Sequence, residues 1–259
     1  MYELRILIQG YPGKTLHHGG LGWSTVALLR SRARSILVDT GSYMQRELLR
    51  QRLREEGLGI EEITHILLTH CHSDHICNFP FFPNAETYVS AADLSWALRQ
   101  PVGTWFIPEL HVERLHSETR THRISPGDNV LPGVRALDSP GHTPGHVSYA
   151  VEGVGESYLF CGDAAKNQAE LATGKVDMTL DDAASRQSIE KIREMAVETG
   201  ALIVPGHDRL LSYDGAVHPR TRLKAGIAAR LSCDFEMETV FSLADDEESM
   251  DSAATPTDE

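Results

Sequence analysis

The 259 residues carry 37 acidic against 24 basic side chains, for a net charge of −13, and 41% are hydrophobic. So acidic a chain is disfavoured as a nonspecific binder of nucleic acid or of an anionic membrane surface. With a mean hydropathy of −0.26, no apolar run of spanning length and no apolar stretch behind Met1, a soluble cytoplasmic protein is expected, without signal peptide or transmembrane helix.

In chain order, residues 3–9 alternate apolar and polar and read as a strand, closed by the turn Gly10-Tyr-Pro-Gly13. His17-His18-Gly19-Gly20 reads as a flexible rim loop. Residues 23–29 and 35–38 are two more strands, so the chain opens as an antiparallel meander. Asp39 ends the last of these strands as a helix cap, a turn residue or a partner that orients a ligand histidine. The pattern leaves the three open. Residues 44–56 form a helix with Leu48, Leu49 and Leu53 on one face, and residues 63–68 form a short buried strand.

That strand runs into Thr69-His-Cys-His-Ser-Asp-His75, which sets the donors His70, His72, Asp74 and His75 within six positions. Neutral imidazole and carboxylate suit zinc, iron or manganese. Donors crowded this closely bring titrating groups together with no gain in packing, so a metal site is the expectation, at a strand end where rigid scaffolds place chemistry.

Phe79, Phe81 and Phe82 read as local core. Residues 87–89 form a strand and 91–98 a helix. Residues 100–122 lack periodicity and are expected to lie over the site as a lid that shapes the substrate pocket, with Trp105, Phe106 and Ile107 among them. Their histidines at 111, 116 and 122 lack ligand spacing. Strands at 120–124, 134–137, 147–151 and 158–160 are assigned to the second half of a sandwich. Three more donors follow strands: His142 in Ser-Pro-Gly-His-Thr, Asp163 in Phe-Cys-Gly-Asp and His207 in Val-Pro-Gly-His-Asp. A capped helix spans 182–198 with Ile189, Ile192 and Ala196 inward, a strand 201–204 and a last helix 220–231. Cys71, Cys77 and Cys161 read as small buried apolar residues, and with Cys233 they form no CxxC pair or disulfide framework. From Asp245 the chain is acidic and expected to be disordered. The organisation is one globular domain at 1–243, with the expected metal site, and an acidic tail at 244–259.

Taken together, Leu37-Val-Asp-Thr-Gly41, the His70–His75 cluster, Ser139-Pro-Gly-His-Thr-Pro-Gly-His146, Gly162-Asp163 and Pro205-Gly-His207 resemble the metallo-β-lactamase superfamily. The blocks cover residues 2–230 in the family's order. The resemblance implies an α/β fold, a four-layer αββα sandwich with two divalent metal ions at one edge, zinc first and iron or manganese as alternatives. It implies His70, His72 and His142 around one ion, Asp74, His75 and His207 around the other, and Asp163 between them. Asp39 matches the family's aspartate beside the ligand histidines, and His146 has no ligand role. A metal-bridged hydroxide then attacks a small ester, lactone, thioester or amide, with Asp74 and Lys166 as the catalytic candidates. The resemblance also implies a small-molecule substrate and a homodimer, the common family state.

Departures narrow the branch. No cysteine ligand of the β-lactamases is matched, and the helical domain of glutathione thioesterases is missing. Acyl-homoserine lactonases carry a tyrosine three residues after the bridging aspartate. This chain has Lys166 there, as an electrophile at the substrate carbonyl or as an exposed loop lysine. The opening Leu7-Ile-Gln-Gly-Tyr11 and Ser73-Asp-His-Ile76 are similar to the branch of metallo-β-lactamase domain-containing protein 1, which implies RNA cleavage as an alternative. A mononuclear iron persulfide dioxygenase is the other.

Overall fold

A computed structural model describes residues 1–15, 21–234 and 236–243; the His17-His18 loop and the acidic tail lie outside the described residues. Contacts divide the chain into Met1–Arg220 and Thr221–Glu259. In the first unit, β1 (Glu3–Ile8), β2 (Val26–Arg30) and β3 (Ser35–Val38) form the expected antiparallel meander. β4 (His65–Leu67), β5 (Glu86–Ser90) and β6 (Thr121–Ile124) extend it by parallel pairing into a six-stranded sheet. The helices of this half are α1 (Arg46–Glu55), α2 (Ser73–Ile76), α3 (Ala91–Ala97) and α4 (Glu109–Ser117).

The second sheet has seven strands: β7 (Asn129–Leu131), β8 (Val134–Asp138), β9 (Val147–Glu152), β10 (Ser157–Gly162), β11 (Leu202–Pro205), β12 (Leu211–Tyr213) and β13 (Val217–Pro219). Each strand lies beside its neighbours in sequence, and β10 and β11 pair in parallel while the others run antiparallel. α5 (Gln168–Thr173) and α6 (Asp182–Thr199) belong to this half.

Side-chain alternation builds the layers. Ala27, Leu29, Ile36, Val38 and Leu67 of the first sheet meet Val134, Ala136, Tyr149, Phe160 and Val204 of the second in a central core. The opposite faces of the same strands, through Val26, Leu28, Leu37 and Ile66, pack on Leu49 and Leu53 of α1, Leu94 of α3 and Val112 and Leu115 of α4. Leu159, Cys161 and Ile203 pack on Ile189, Ile192 and Ala196 of α6. Strands buried on both faces read as near-continuous apolar runs, as these do. The result is the αββα sandwich. No helix of the described residues is long and apolar enough to cross a membrane.

Several elements depart from expectation. β6 joins the first sheet beside β5, not the second half of the sandwich, because the α3–α4 crossover returns it in parallel register, Thr87 opposite Thr121. Residues 100–122 are not irregular throughout: α4 lies within them, its buried stripe reduced to Val112 and Leu115 among charged neighbours. Leu48 is 40% exposed, so only Leu49 and Leu53 carry α1 inward. His70–His75 is not all loop, since Asp74 and His75 sit on the single turn of α2. The expected last helix at 220–231 is replaced, in the second unit, by β14 (Gly226–Ala229) paired antiparallel with β15 (Thr239–Ser242). Leu223, Ile227 and Leu231 are spaced as on a helix, but mid-segment Gly226 costs a helix about 1 kcal/mol relative to alanine, and strand pairing satisfies the backbone instead.

Candidate metal centre

All the expected donors gather at one edge of the sandwich, at strand ends. β3 and β4 are parallel neighbours, so Asp39 and the His70–His72 loop emerge side by side. β10 and β11 are parallel neighbours too, which places Asp163 next to His207. His142 lies in the turn between β8 and β9. Two glycines permit the approach. Gly162 has φ +46°, and a Cβ there would press on Thr69 Oγ1 and His146 Nε2 at 2.7 and 2.8 Å. A Cβ on Gly206 would fall 2.1 Å from Asp163 Oδ1.

The donor atoms form three overlapping groups: His70, His72 and His142; His70, His75 and Asp163; and Asp74, His75 and His207, each within 4.8 Å. Asp163 faces both ways. Its Oδ1 is 3.3 Å from His75 Nε2 and 3.3 Å from His207 Nε2, while Oδ2 is 3.2 Å from His142 Nε2. Asp74 Oδ2 lies 3.4 Å from His207 Nε2 and 3.7 Å from His75 Nε2.

Nε2 of His70, His72 and His75, Nδ1 of His142 and Oδ1 of Asp163 are buried with no hydrogen-bond partner. Buried polar atoms are almost always paired. Nε2 of His70 and His75 and Oδ1 of Asp163 come from one donor group, and His142 Nε2 faces His72 Nδ1 at 2.9 Å; buried ligand-type atoms crowded together with so few partners fit a divalent ion.

Supporting contacts fix several of the ligands. Asp39, strained at φ +54°, accepts from Thr69 N and Thr69 Oγ1 at 2.9 Å each and from His75 Nδ1 at 2.7 Å. Of the three roles left open by sequence, it takes that of orienting a histidine, leaving His75 Nε2 for the ligand. His146, read as structural, is buried between two partners: its Nδ1 pairs with Ser139 Oγ at 2.9 Å and its Nε2 accepts from Asp163 N at 3.0 Å. It holds the backbone of Asp163. Thr40 N and Oγ1 both donate to His75 O, at 2.7 and 2.8 Å, and Ser24 Oγ donates to Asp74 O.

Lys166 is not an exposed loop lysine. It is 9% exposed, and its Nζ lies 2.8 Å from Glu170 Oε1 and 2.9 Å from Asp177 O. Its carbonyl accepts from His207 N at 2.7 Å. The lid expectation survives in part: Phe106 O accepts from Ser73 N at 3.0 Å, and the Phe106 and Trp96 rings lie 4.8 and 6.0 Å from the His72 ring. Trp105 is 75% exposed. His111 pairs with Tyr43 Oη at 2.9 Å and His122 with Glu86, so neither joins the donors. Cys71, Cys77 and Cys161 are buried as expected.

Charge divides the histidines. Burial, reinforced by neighbouring histidines, drives His70 well below its ordinary value. Burial takes His72 down to about 4 and His146 to about 3 and holds His142 well below 6.5, against the pull of Asp163 on each. His75 is also penalised by burial, but Asp74, Asp39 and Asp163 overcome it and hold the ring well above its usual value. His207 is raised likewise, burial being outweighed by Asp163 and Asp74. Burial opposes ionisation of Asp163, and His207, His142 and His75 hold it well below the carboxylate range nonetheless.

Sandwich, edge site and donor set together define a metallohydrolase of the αββα class. The chain matches the metallo-beta-lactamase superfamily over residues 19–207, and it belongs to that family. It is 29% identical to metallo-beta-lactamase domain-containing protein 1 of Xenopus laevis over 80% of this chain and 79% of that protein. It is 26% identical to an N-acyl homoserine lactonase of a Bacillus species over 60% of each. Among solved structures, AidC, a dizinc quorum-quenching lactonase, superposes with a TM-score of 0.66 at 17% identity, over 76% of this chain and 79% of that one. The protein is a metal-dependent hydrolase that binds divalent metal through this His/Asp cluster.

Proposed function

We propose that the protein is a dinuclear hydrolase of small esters, lactones, thioesters or amides, with zinc as the first metal to test and iron or manganese as alternatives. The observation that carries this reading is the split of Asp163, one oxygen turned to His75 and His207 and the other to His142. A carboxylate shared between two donor sets is what a bridging ligand requires. Two divalent ions there supply a water of lowered pKa and an electrophile for the scissile oxygen.

The protein's own part is placement and charge. Asp39 and His146 hold His75 and Asp163 in orientation. Asp74, with its side chain 30% exposed, is the donor nearest solvent and takes the catalytic role expected of it. Lys166 acts through position, since two of its N–H donors are spent on Glu170 and Asp177 and its carbonyl fixes the His207 amide. Phe106 and Trp96 line an apolar wall beside His72, which supports an organic substrate. The relatives named as lactonases make acyl lactones the first class to assay. The acidic surface supports a small molecule over RNA, and the complete second donor set supports the hydrolase over a mononuclear oxygenase. We take the catalytic domain as residues 1–243; all the donors fall within Met1–Arg220.

The test is metal content per chain together with a lactone and ester panel on wild type and Asp74→Asn. Two ions per chain and hydrolysis lost in a variant that still binds metal support the reading. Full activity in Asp74→Asn, or one iron with oxygen consumption on persulfides, overturns it.

A further inference from the structure

The support described so far serves His75, through Asp39, and Asp163, through His146. Asp39 also reaches Thr69 at the start of the ligand loop, and His146 closes the turn that carries His142, but neither touches the peptide between His70 and His72 or the residue after His142. A different carboxylate does. Asp93 is fully buried on the first turn of α3. Its Oδ2 accepts from Cys71 N at 2.7 Å, between His70 and His72. Its Oδ1 accepts from Thr143 Oγ1, the residue after His142. One side chain thus ties the ligand loop of the first sheet to the ligand turn of the second.

The close approach is built in. A Cβ on Gly145 would stand 2.1 Å from Asp93 N, so the turn rests against the start of α3 with no room for a side chain. Asp93 N is held by Ser90 Oγ at 3.3 Å, which fixes the helix end from which the carboxylate projects. A buried carboxylate held by two donors is rigid, since leaving either unpaired costs about 1–3 kcal/mol. Rotating the Cys71 peptide moves both flanking histidines together.

Resting on the metal-centre reading above, we infer that Asp93 is the positioning residue for the three-histidine group His70, His72 and His142, as Asp39 is for His75. Asp39 holds His75 directly and His70 only through Thr69 Oγ1, 3.0 Å from His70 Nδ1, so Asp93 governs chiefly the three-histidine group and Asp39 chiefly the other.

Metal affinity of purified, chelator-stripped protein, measured by competition with a chromophoric chelator, tests this on wild type, Asp93→Asn, Thr143→Val and Asp39→Asn. Cadmium-113 NMR of the cadmium-loaded proteins reads the nitrogen-rich and the carboxylate-containing positions separately. Asp93→Asn presents an amide N–H to backbone donors or loses one acceptor, and one equivalent should weaken by about 10–100-fold, the usual cost of losing such a partner. The cadmium signal of the nitrogen-rich position should shift or broaden while the other persists. Thr143→Val keeps the side-chain shape and removes only the hydroxyl, so it carries the test if Asp93→Asn does not fold, with the same signal affected. Asp39→Asn should affect chiefly the other signal. Unchanged affinities in both Asp93→Asn and Thr143→Val overturn the inference. So does equal weakening of both equivalents alongside a lower melting temperature of the stripped protein, which is the mark of a merely structural role. A wild-type chain that takes up no metal overturns the metal-centre reading and this inference together.

Discussion

Asp163 is the residue on which the two halves of the sandwich converge, and its position depends on an absence. Gly206 lies under its Oδ1, where a methyl group would sit 2.1 Å away. The offending atom belongs to a carboxylate held from behind by His146 at its amide and from in front by His75, His207 and His142, so it cannot swing clear cheaply. Gly206→Ala should therefore displace Asp163 and press on the Gly162 carbonyl, 2.7 Å from the added atom at the end of β10. A misplacement of about 1 Å at reacting groups can cost about 100-fold in rate. We expect the kcat of Gly206→Ala to fall by about that factor, with an unchanged circular dichroism spectrum and reduced metal content. A variant with the wild-type rate and full metal content would show that Asp163 does not need this approach.

At the scale of elements, α5 and the turn before it form a buttress behind His207. Glu170, buried and raised by that burial against the pull of Lys166, gathers Lys166 Nζ at 2.8 Å and Lys166 N at 2.9 Å. Removing one partner of a buried ion pair strands the other, at about 3–5 kcal/mol, whereas replacing both with apolar residues is often neutral. Lys166→Met should thus lower the melting temperature sharply, and Lys166→Met with Glu170→Leu should recover part of the loss, the remainder being the Lys166 amide left without its acceptor. Activity should recover with stability. A double variant that is stable but inactive would return Lys166 to the electrophile role that its place in the sequence also allows. Such a choice was not legible in sequence, because a lysine three residues after Asp163 reads the same whether its ammonium meets substrate or a glutamate four residues on. The metal donors were legible because ligand chemistry restricts them to histidine and aspartate at strand ends. Asp93 was not, because Ser90-Ala-Ala-Asp93 carries the signature of a capping box, a local role that hides the long-range one. The β14–β15 pairing was obscured similarly, by apolar residues at helical spacing.

At the scale of the whole molecule, the centre makes folding depend on pH in both directions once metal is stripped. His70, His72, His142 and His146 are held neutral in the fold, their values lowered, to about 4 for His72 and about 3 for His146. An unfolded histidine protonates near about 6.5. Below that pH the unfolded chain therefore takes up protons that these four cannot accept in the fold, and stability falls as pH falls. His75 and His207 have the opposite sign: raised in the fold, they stabilise it below about 6.5, and that contribution is lost as pH rises through their folded values. The carboxyls of Asp93 and Glu170, raised by burial, soften the acid limb, because they bind protons in the fold before they do in the unfolded chain. Four lowered histidines outweigh these two groups, each contributing up to about 1.4 kcal/mol per pH unit inside its window. The stripped protein should accordingly melt highest close to neutrality, with a steeper loss toward about pH 5 than toward about pH 9. Thermal melts after chelation across that range check it, and an acid limb that is flat or rising would mean that the buried histidines do not hold the neutral state their surroundings impose. Metal binding works against the same proton equilibria, since a ligand imidazole must be neutral. Its uptake should release protons chiefly from His75 and His207, the two rings whose values acidic neighbours raise in the stripped fold.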